Sequence, residues 1–268
     1  WDKEHVKLNE IDVQVVKEIG TGANLFDNGD LDYTVLADTY ALQYKESKQA
    51  HFVPKAMVGY LSPNHRREIT GNEHVRKAFL QAIDKETFAK EILGDGSTAL
   101  NGFVPANFAK NPDTGEDFRK ENGDLLPYNI KEAQANWNKA KEELGKDKIE
   151  LELISADSAI AKKTIEFVQG QLQQNLPGLT IKLKSLPLQN RLDLQTAGNY
   201  DLAFGTWTPD YADPFNFLEF YDSKSGLNTS GYNDSAYDAG LQKVRKDYAN
   251  EPEKRWNELL SLEKTLIE

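Results

Sequence analysis

The sequence predicts an α/β fold with a mixed, largely parallel sheet flanked by helices. Between residues 129 and 207, two kinds of segment follow each other in turn. One kind has apolar residues at helical spacing, and the other has the pattern of a strand, with apolar residues at every second position or in a short run. The order is helix, strand, helix, strand, helix, strand, and each helical segment ends close to a glycine. This succession favours parallel strands joined by crossover helices. Ligands of such sheets bind at the loops that follow the carboxyl ends of the strands.

Residues 1–55 are predicted to form a βαβ-like segment. Residues 11–19 alternate apolar and polar side chains as a strand does, and residues 31–35 repeat the alternation. Between them, residues 21–28 are predicted as a short helix that ends at Gly29, because glycine favours the left-handed conformation that closes helices.

Residues 72–93 show the clearest helical spacing in the chain. Asp84 interrupts it and is predicted to cap a second helix, which ends at Gly94. The following residues, 94–128, are rich in Gly, Pro, Asn and Asp, and they predict a long surface loop.

The segment in which helices and strands alternate begins at Asn129. Asn129 and Glu132, three residues later, have the spacing of a capping box. Its helix carries one apolar stripe, formed by Ala133, Trp137, Ala140 and Leu144. The strands and helices that follow are predicted at 149–153, 160–172, 181–183 and 189–197. The last strand, 200–207, is an apolar run and is predicted to be buried.

Composition excludes several classes of function. Among the 268 residues, 43 Asp and Glu exceed 32 Lys and Arg, and the net charge of −11 disfavours nucleic acid as a partner. The chain has no Cys, which excludes disulfides, thiol nucleophiles and thiolate metal sites. No apolar run approaches the length that spans a bilayer.

Catalytic and cofactor motifs are not found either. The glycines at 20 and 22 begin a dinucleotide-binding pattern, but Leu25 stands where a third glycine is needed. The acidic residues of 27–32 lack the spacing of a calcium loop, and no G-x-S-x-G motif occurs. The histidines form no H-E-x-x-H pattern and are predicted to be surface residues: His5, His51, His65 and His74. We therefore predict no cofactor, no metal and no catalytic residue.

The loop after the last predicted strand, residues 207–214, holds the most informative chemistry. It combines Trp207 and Tyr211 with the carboxylates of Asp210 and Asp213, and two prolines stiffen it. A carboxylate beside aromatic rings can bind an ammonium group through a charge-assisted hydrogen bond and cation–π attraction. The same residues are also typical of a turn and of a core position, so the pattern leaves both interpretations open.

This stretch resembles the family-5 extracellular solute-binding proteins, which include oligopeptide- and dipeptide-binding proteins. The shared pattern is a strand ending in Trp, here Trp207, followed by D-Y-x-D/E-P-x-x-F-L, here residues 210–218. Residues 75–86 resemble the family's V-R-x-A-x-x-x-A-I-D-R-E helix pair. Further similar segments, in the family's order, are 29–32, 129–144 and 231–238.

The resemblance implies a periplasmic-binding-protein-like fold of type II, oligopeptide-binding class, in which two α/β lobes close on a ligand. Residues 1–55 would be the end segment of the first lobe, and residues 56–268 most of the second ligand-binding lobe. The missing first lobe would then be a partner of this chain. A start at Trp1, without Met, signal peptide or lipidation Cys, agrees with a fragment.

The resemblance also implies a function. The protein would be the substrate-binding component of an ABC importer and not an enzyme. It would bind extended oligopeptides by their main chain and α-amino group and deliver them to a membrane permease. It would lie outside the cytoplasm, either in the periplasm or lipid-anchored on the outer face of the cell membrane.

Particular residues acquire roles from the resemblance. Asp210 would pair with the α-ammonium group of the ligand. The backbone groups of Thr206, Trp207 and Thr208, at the end of the strand, would form hydrogen bonds with an extended peptide. The rings of Trp207 and Tyr211 would line side-chain pockets.

Phe204 departs from the pattern of some family members. An arginine stands at this position in those proteins and helps to hold the carboxylate of the peptide. Phe204 therefore predicts longer peptides or a ligand with a different end group.

Three alternatives to peptide binding stay open. The same fold could bind another small solute, such as an oligosaccharide stacked on Trp207 and Tyr211. Some family members resemble binders of nickel chelates, but no metal cluster in the sequence supports nickel. Asp210 and Asp213 could be the two carboxylates of a glycosidase. The chain could also be an interaction module on the cell surface, such as an adhesin.

Overall fold

A computed structural model describes residues 2–267, except the side chain of Asp38. One sheet has the order β1-β4-β2-β3, with β1 at Val58–Pro63, β2 at Ile149–Ala156, β3 at Leu179–Leu186 and β4 at Leu202–Trp207. β2 runs parallel to both β3 and β4, whereas β1 pairs antiparallel with β4. The predicted mixed, largely parallel sheet is confirmed. The sequence reasoning missed β1, a six-residue edge strand that ends in a proline, as edge strands tolerate.

Helices cover the sheet and extend beyond it. They are α1 (Ile19–Asp27), α2 (Asp38–Gln43), α3 (Glu73–Ala82), α4 (Lys85–Thr87), α5 (Phe118–Asn122), α6 (Ile130–Leu144), α7 (Ala159–Asn175), α8 (Leu188–Thr196), α9 (Phe215–Leu218), α10 (Ser235–Gln242) and α11 (Pro252–Ile267). α4 continues as a π-helical turn over Phe88–Leu93, and α10 continues in the same way over Lys243–Asp247. The predicted succession of helices and strands between residues 129 and 207 is confirmed.

The predicted helix ends are formed as the sequence indicates. The Asp84 side chain accepts a hydrogen bond from the Thr87 backbone at 3.0 Å, and Asn129 accepts one from Glu132 at 3.2 Å. Gly94 follows the π-helical turn with φ +58°, and Gly145 follows α6 with φ +62°. Glycine adopts this left-handed conformation without the steric penalty that other residues meet.

The first hydrophobic core lies between the sheet and helices α3, α6 and α7. Trp137 of α6 is its largest fully buried side chain and packs against Phe79 of α3, with ring centroids 6.1 Å apart. The Trp137 indole Nε1 donates a hydrogen bond to the Pro177 carbonyl at 2.9 Å. Trp137 thus holds the turn that leads into β3 against the helical layer.

The prediction of residues 94–128 as a surface loop is wrong in part. Phe103, Val104 and Phe118 are buried in a second core, where the Phe118 ring contacts Trp256 of α11 edge to face at 5.2 Å. The apolar residues of this segment are too sparse to produce a helical or strand periodicity. The segment nevertheless forms one wall of a core.

A fully buried carboxylate, Glu263, ties this segment to α11. It accepts backbone hydrogen bonds from Phe103 and Val104 at 2.7 Å and pairs with the Arg119 guanidinium at 2.8 Å. Its second oxygen accepts a hydrogen bond from Asn122 at 2.6 Å. Four donors together compensate for the removal of this charge from water.

The two strands predicted in residues 1–55 do not form. Residues 11–17 have no regular secondary structure, and Val13 and Val15 are 83% and 89% exposed. Residues 31–35 likewise form no strand, while the helix between the two segments is present as α1. A strand needs a hydrogen-bonded neighbour, and within the described residues none pairs with either segment. Within the described residues, only the helix of the predicted βαβ-like segment is present.

The ring of His65, just after β1, is partly buried. It contacts the Tyr232 ring edge to face, with ring centroids 5.4 Å apart. Burial, followed by the positive charges of Arg76 and Arg66, lowers the pKa of His65 to about 4. An unfolded histidine titrates near 6.5, so the unfolded chain takes up this proton first as the pH falls.

The free energy of unfolding should therefore decrease between about pH 6.5 and pH 4 by on the order of 3 kcal/mol at most. The contribution of neutral His65 is complete above this window and lost below it. The unfolding free energy of a His65→Gln variant, measured with urea, should change less with pH across this window than that of the parent chain. Identical slopes for the two proteins would contradict this assignment.

Candidate functional site

The second half of β4 has a neighbour on one side only. β1 pairs with the whole strand, whereas the register with β2 covers only Leu202 and Ala203. From Phe204 onward, the edge of β4 that faces away from β1 has no strand beside it within residues 2–267. This open half-edge leads directly into the loop that contains Asp210.

Asp210 presents a free carboxylate at the end of this edge. Its backbone N–H donates a hydrogen bond at 3.1 Å to the side-chain oxygen of Asn216, a buried residue of α9. The carboxylate itself is exposed and has no hydrogen bond or ion pair within the part of the chain that the structure describes. The loop is thus fixed through its backbone, while the charge stays available for a ligand.

Asp213, three residues later, is paired with Arg255 of α11. Its two oxygens accept from both terminal nitrogens of Arg255, at 2.9 and 3.1 Å, and one of them also accepts the Phe215 backbone N–H at 2.8 Å. A bidentate ion pair of this kind fixes the carboxylate and stabilises its charge. The arrangement does not resemble two glycosidase carboxylates facing a common substrate, and it weighs against that alternative.

The two aromatic residues of the loop differ in environment. The Trp207 ring is half-buried against Phe220, with centroids 4.9 Å apart, and its Nε1 is buried with no partner among the described residues. The Tyr211 ring is 45% exposed, and its hydroxyl donates to Glu219. Burial, together with this hydrogen bond, raises the pKa of Tyr211 to about 12. Tyr211 therefore offers a neutral ring face to a ligand.

The other predicted site residues lie along β4. The side chains of Thr206 and Thr208 are exposed. The Phe204 side chain packs against the first core, and its ring lies over Gly59 of β1. Only the backbone of Phe204 faces the open half-edge.

Arg191 of α8 also reaches this edge, and the sequence reasoning missed it. Its Nη1 donates to the Phe204 carbonyl at 2.8 Å, although 13 residues separate the two in the chain. Gly205 favours this approach, because a Cβ there would lie only 3.1 Å from Nη1 of Arg191 and 3.2 Å from the Tyr60 ring. Burial lowers the pKa of Arg191. The glycine before Thr206 was the one sequence signal that something approaches this strand closely.

Two structural properties of residues 2–267 bear on other functions. No cluster of three or more metal-ligating side chains occurs in this range. None of its helices combines the length and the hydropathy that a membrane-crossing helix needs.

Residues 1–229 match the bacterial extracellular solute-binding proteins, family 5, middle region. A dipeptide-binding protein of Lactococcus lactis subsp. cremoris is 33% identical over 249 residues, which are 89% of this chain and 45% of the relative. The structure of OppA of Listeria monocytogenes bound to peptide superimposes with a TM-score of 0.89 at 39% identity, covering the whole of this chain and 52% of that one.

A third comparison gives the same result. The substrate-binding domain of an oligopeptide ABC transporter from Bacillus anthracis superimposes with a TM-score of 0.91 at 34% identity, again over the whole chain and 52% of the other. The chain therefore spans about half the length of the relatives that it matches. The fold, the open half-edge and the family match over most of the residues agree, and the chain belongs to family 5 of the bacterial extracellular solute-binding proteins.

Proposed function

We propose that this chain is most of one lobe of the substrate-binding component of an ABC importer, and that it binds extended oligopeptides by their main chain and α-amino group. The observation that carries the proposal is the open half-edge of β4, which ends at the free carboxylate of Asp210. An extended peptide can add to such an edge as a further strand. Its ammonium group would then lie beside the carboxylate and the exposed ring of Tyr211.

The chemistry of this edge favours peptides of many sequences. Backbone hydrogen bonds to a strand edge do not depend on the side chains of the ligand. The Asp210 loop is held by the hydrogen bond to Asn216 and by its two prolines, so little ordering is needed on binding. Similar proteins that are named dipeptide- and oligopeptide-binding proteins support the same ligand class.

The remaining parts of the proposal concern partners and location. The first lobe would close over the half-edge from the opposite side, and a membrane permease would receive the peptide. Residues 1–55 would belong to that first lobe, which accounts for the unpaired apolar alternation of residues 11–17. The protein would act outside the cytoplasm, as its family does, and would bind its ligand without transforming it.

The central test is calorimetry with the full-length protein and a free peptide. An Asp210→Asn variant should bind at least about 30-fold more weakly, since loss of one partner of a desolvated charge pair costs about 2 kcal/mol or more. Asp147→Asn is a matched control, because Asp147 is an exposed carboxylate just before β2, at the opposite end of the sheet. The control should bind as the parent does.

N-acetylation of the peptide provides the complementary test. It removes the ammonium group and should weaken binding to the parent protein about as much as the Asp210→Asn substitution does. Acetylated and free peptides of equal affinity would contradict the role of Asp210. Such a result would instead favour a solute that stacks on the aromatic rings.

A further inference from the structure

The Tyr211 side chain is held at its far end, although its ring is exposed. Its hydroxyl donates a hydrogen bond to Oε1 of Glu219. The pKa of about 12 keeps this hydroxyl protonated at neutral pH, so that the donor is always present. Oε2 of Glu219 accepts a hydrogen bond from Nη2 of Arg245 at 3.1 Å. Both oxygens of Glu219 are therefore engaged by neighbours, and the residue is suited to position Tyr211.

Arg245, at the other end of this chain of contacts, is itself fixed from two directions. Its Nη1 donates to Asp222 at 2.8 Å, and the Asp222 side chain is only 8% exposed. Its guanidinium lies over the ring of Phe215, 5.1 Å from the ring centroid. A planar guanidinium that pairs with two carboxylates and stacks on a ring has little freedom to move. The contacts from Tyr211 through Glu219 thus end on a rigid part of the fold.

The Phe215 ring also supports the second attachment of the loop. The Arg255 guanidinium lies 6.0 Å from the centroid of the same ring, and Arg255 holds Asp213 through their ion pair. Two arginines beside one buried ring therefore hold the loop at Asp213 and, through the contacts above, at Tyr211. Tyr211 directly follows Asp210 in the chain, so a fixed ring gives the space beside the Asp210 carboxylate a fixed wall.

We infer that Glu219 is a positioning residue for the ammonium group of the ligand, because it fixes the ring of Tyr211 beside Asp210 before the ligand arrives. The inference rests on the proposed function and adds to it the residue that prepares the site. A freely rotating side chain must be ordered when a ligand binds, and this ordering reduces the affinity. A ring that is already fixed avoids this loss and presents its face to the cation.

The test is calorimetry on the full-length protein with a tripeptide that has a free amino group and with the same tripeptide N-acetylated. Tyr211→Phe and Glu219→Ala each break the hydrogen bond, and each should weaken binding of the free peptide by about three- to tenfold. The double variant should bind no more weakly than the weaker single variant, since both changes remove one contact. All three variants should bind the acetylated peptide within about twofold of the parent.

A conservative variant separates geometry from charge. Glu219→Gln keeps an oxygen that can accept from the Tyr211 hydroxyl, but it removes the negative charge. It should bind the free peptide within about twofold of the parent. A glutamine variant as weak as the alanine variant would show that the charge of Glu219 acts on the ligand, and it would overturn the positioning role. Additive effects of Tyr211→Phe and Glu219→Ala would overturn it as well.

Tyr44→Phe is the matched control, because the Tyr44 hydroxyl also donates to a carboxylate, that of Asp27, outside residues 207–222. This variant should bind both peptides as the parent does. If Glu219 only stabilises the fold, Glu219→Ala should lose affinity for the free and the acetylated peptide in parallel, which would overturn the inference.

The two proposals fail in different ways. A parent protein that binds the free peptide, with variants that behave as in any of the contrary results above, would overturn the role of Glu219 and leave peptide binding intact. A parent protein that binds neither peptide would overturn the proposed function, and the inference with it.

Discussion

Replacement of Glu263 by alanine should lower the free energy of unfolding by about 3–5 kcal/mol, which is a large part of the stability of an ordinary domain. The substitution removes the acceptor for the Phe103 and Val104 backbones and leaves the Arg119 guanidinium buried without its counter-charge. The measurement is urea unfolding of the chain, followed by far-ultraviolet circular dichroism.

Two further variants test whether charge compensation is the cause. Glu263→Gln keeps an acceptor for the backbone donors but not the charge, and should lose less stability than the alanine variant. Glu68→Ala, which removes an exposed ion pair with Lys146, should change the unfolding free energy by at most about 1 kcal/mol. Equal effects of Glu263→Ala and Glu68→Ala would show that the buried network does not stabilise the fold.

Replacement of Trp137 by alanine should also destabilise the chain by about 3–5 kcal/mol. The indole is fully buried between α6, Phe79 and the turn before β3, so its loss leaves a cavity in a close-packed core. It also leaves the Pro177 carbonyl without its donor.

Trp137→Phe separates the two contributions. Phenylalanine keeps most of the buried ring and removes the N–H donor, so the variant should lose roughly 1–3 kcal/mol. Thermal and urea unfolding of the parent and both variants give the comparison. A phenylalanine variant as unstable as the alanine variant would mean that the hydrogen bond, and not the packing, dominates.

The sequence predicts the fold well where the pattern is local. Residues 129–207 carry their periodicity, their caps and their glycine stops within short windows, and these elements form as predicted. Burial of Phe103 and Phe118 could not be predicted in this way, because their partners Trp256 and Glu263 lie far along the chain. Residues 11–19 alternate apolar and polar side chains as a strand does, but no neighbour within the described chain completes a strand there.

The candidate site can likewise be predicted only where the signal is local in the sequence. Asp210 and Asp213 look equivalent in the sequence, and only the contact with Arg255, 42 residues later, makes one carboxylate structural and leaves the other free. The sequence of β4 contains no cation, because the side chain of Phe204 and those of its neighbours in the strand are uncharged. Arg191 reaches the same backbone from a neighbouring helix, a relation that depends on how α8 packs on the sheet.

The contact between Arg119 and Glu263 spans 144 residues of sequence, which affects the order in which the chain can fold during synthesis. A ribosome adds about 5–20 residues per second, so about 7–30 s pass between the synthesis of the two partners. During that time the segment after residue 94 has no α11 to pack against. The ring of Phe118 stays without its partner Trp256, available to chaperones, until almost all of this part of the chain has been made.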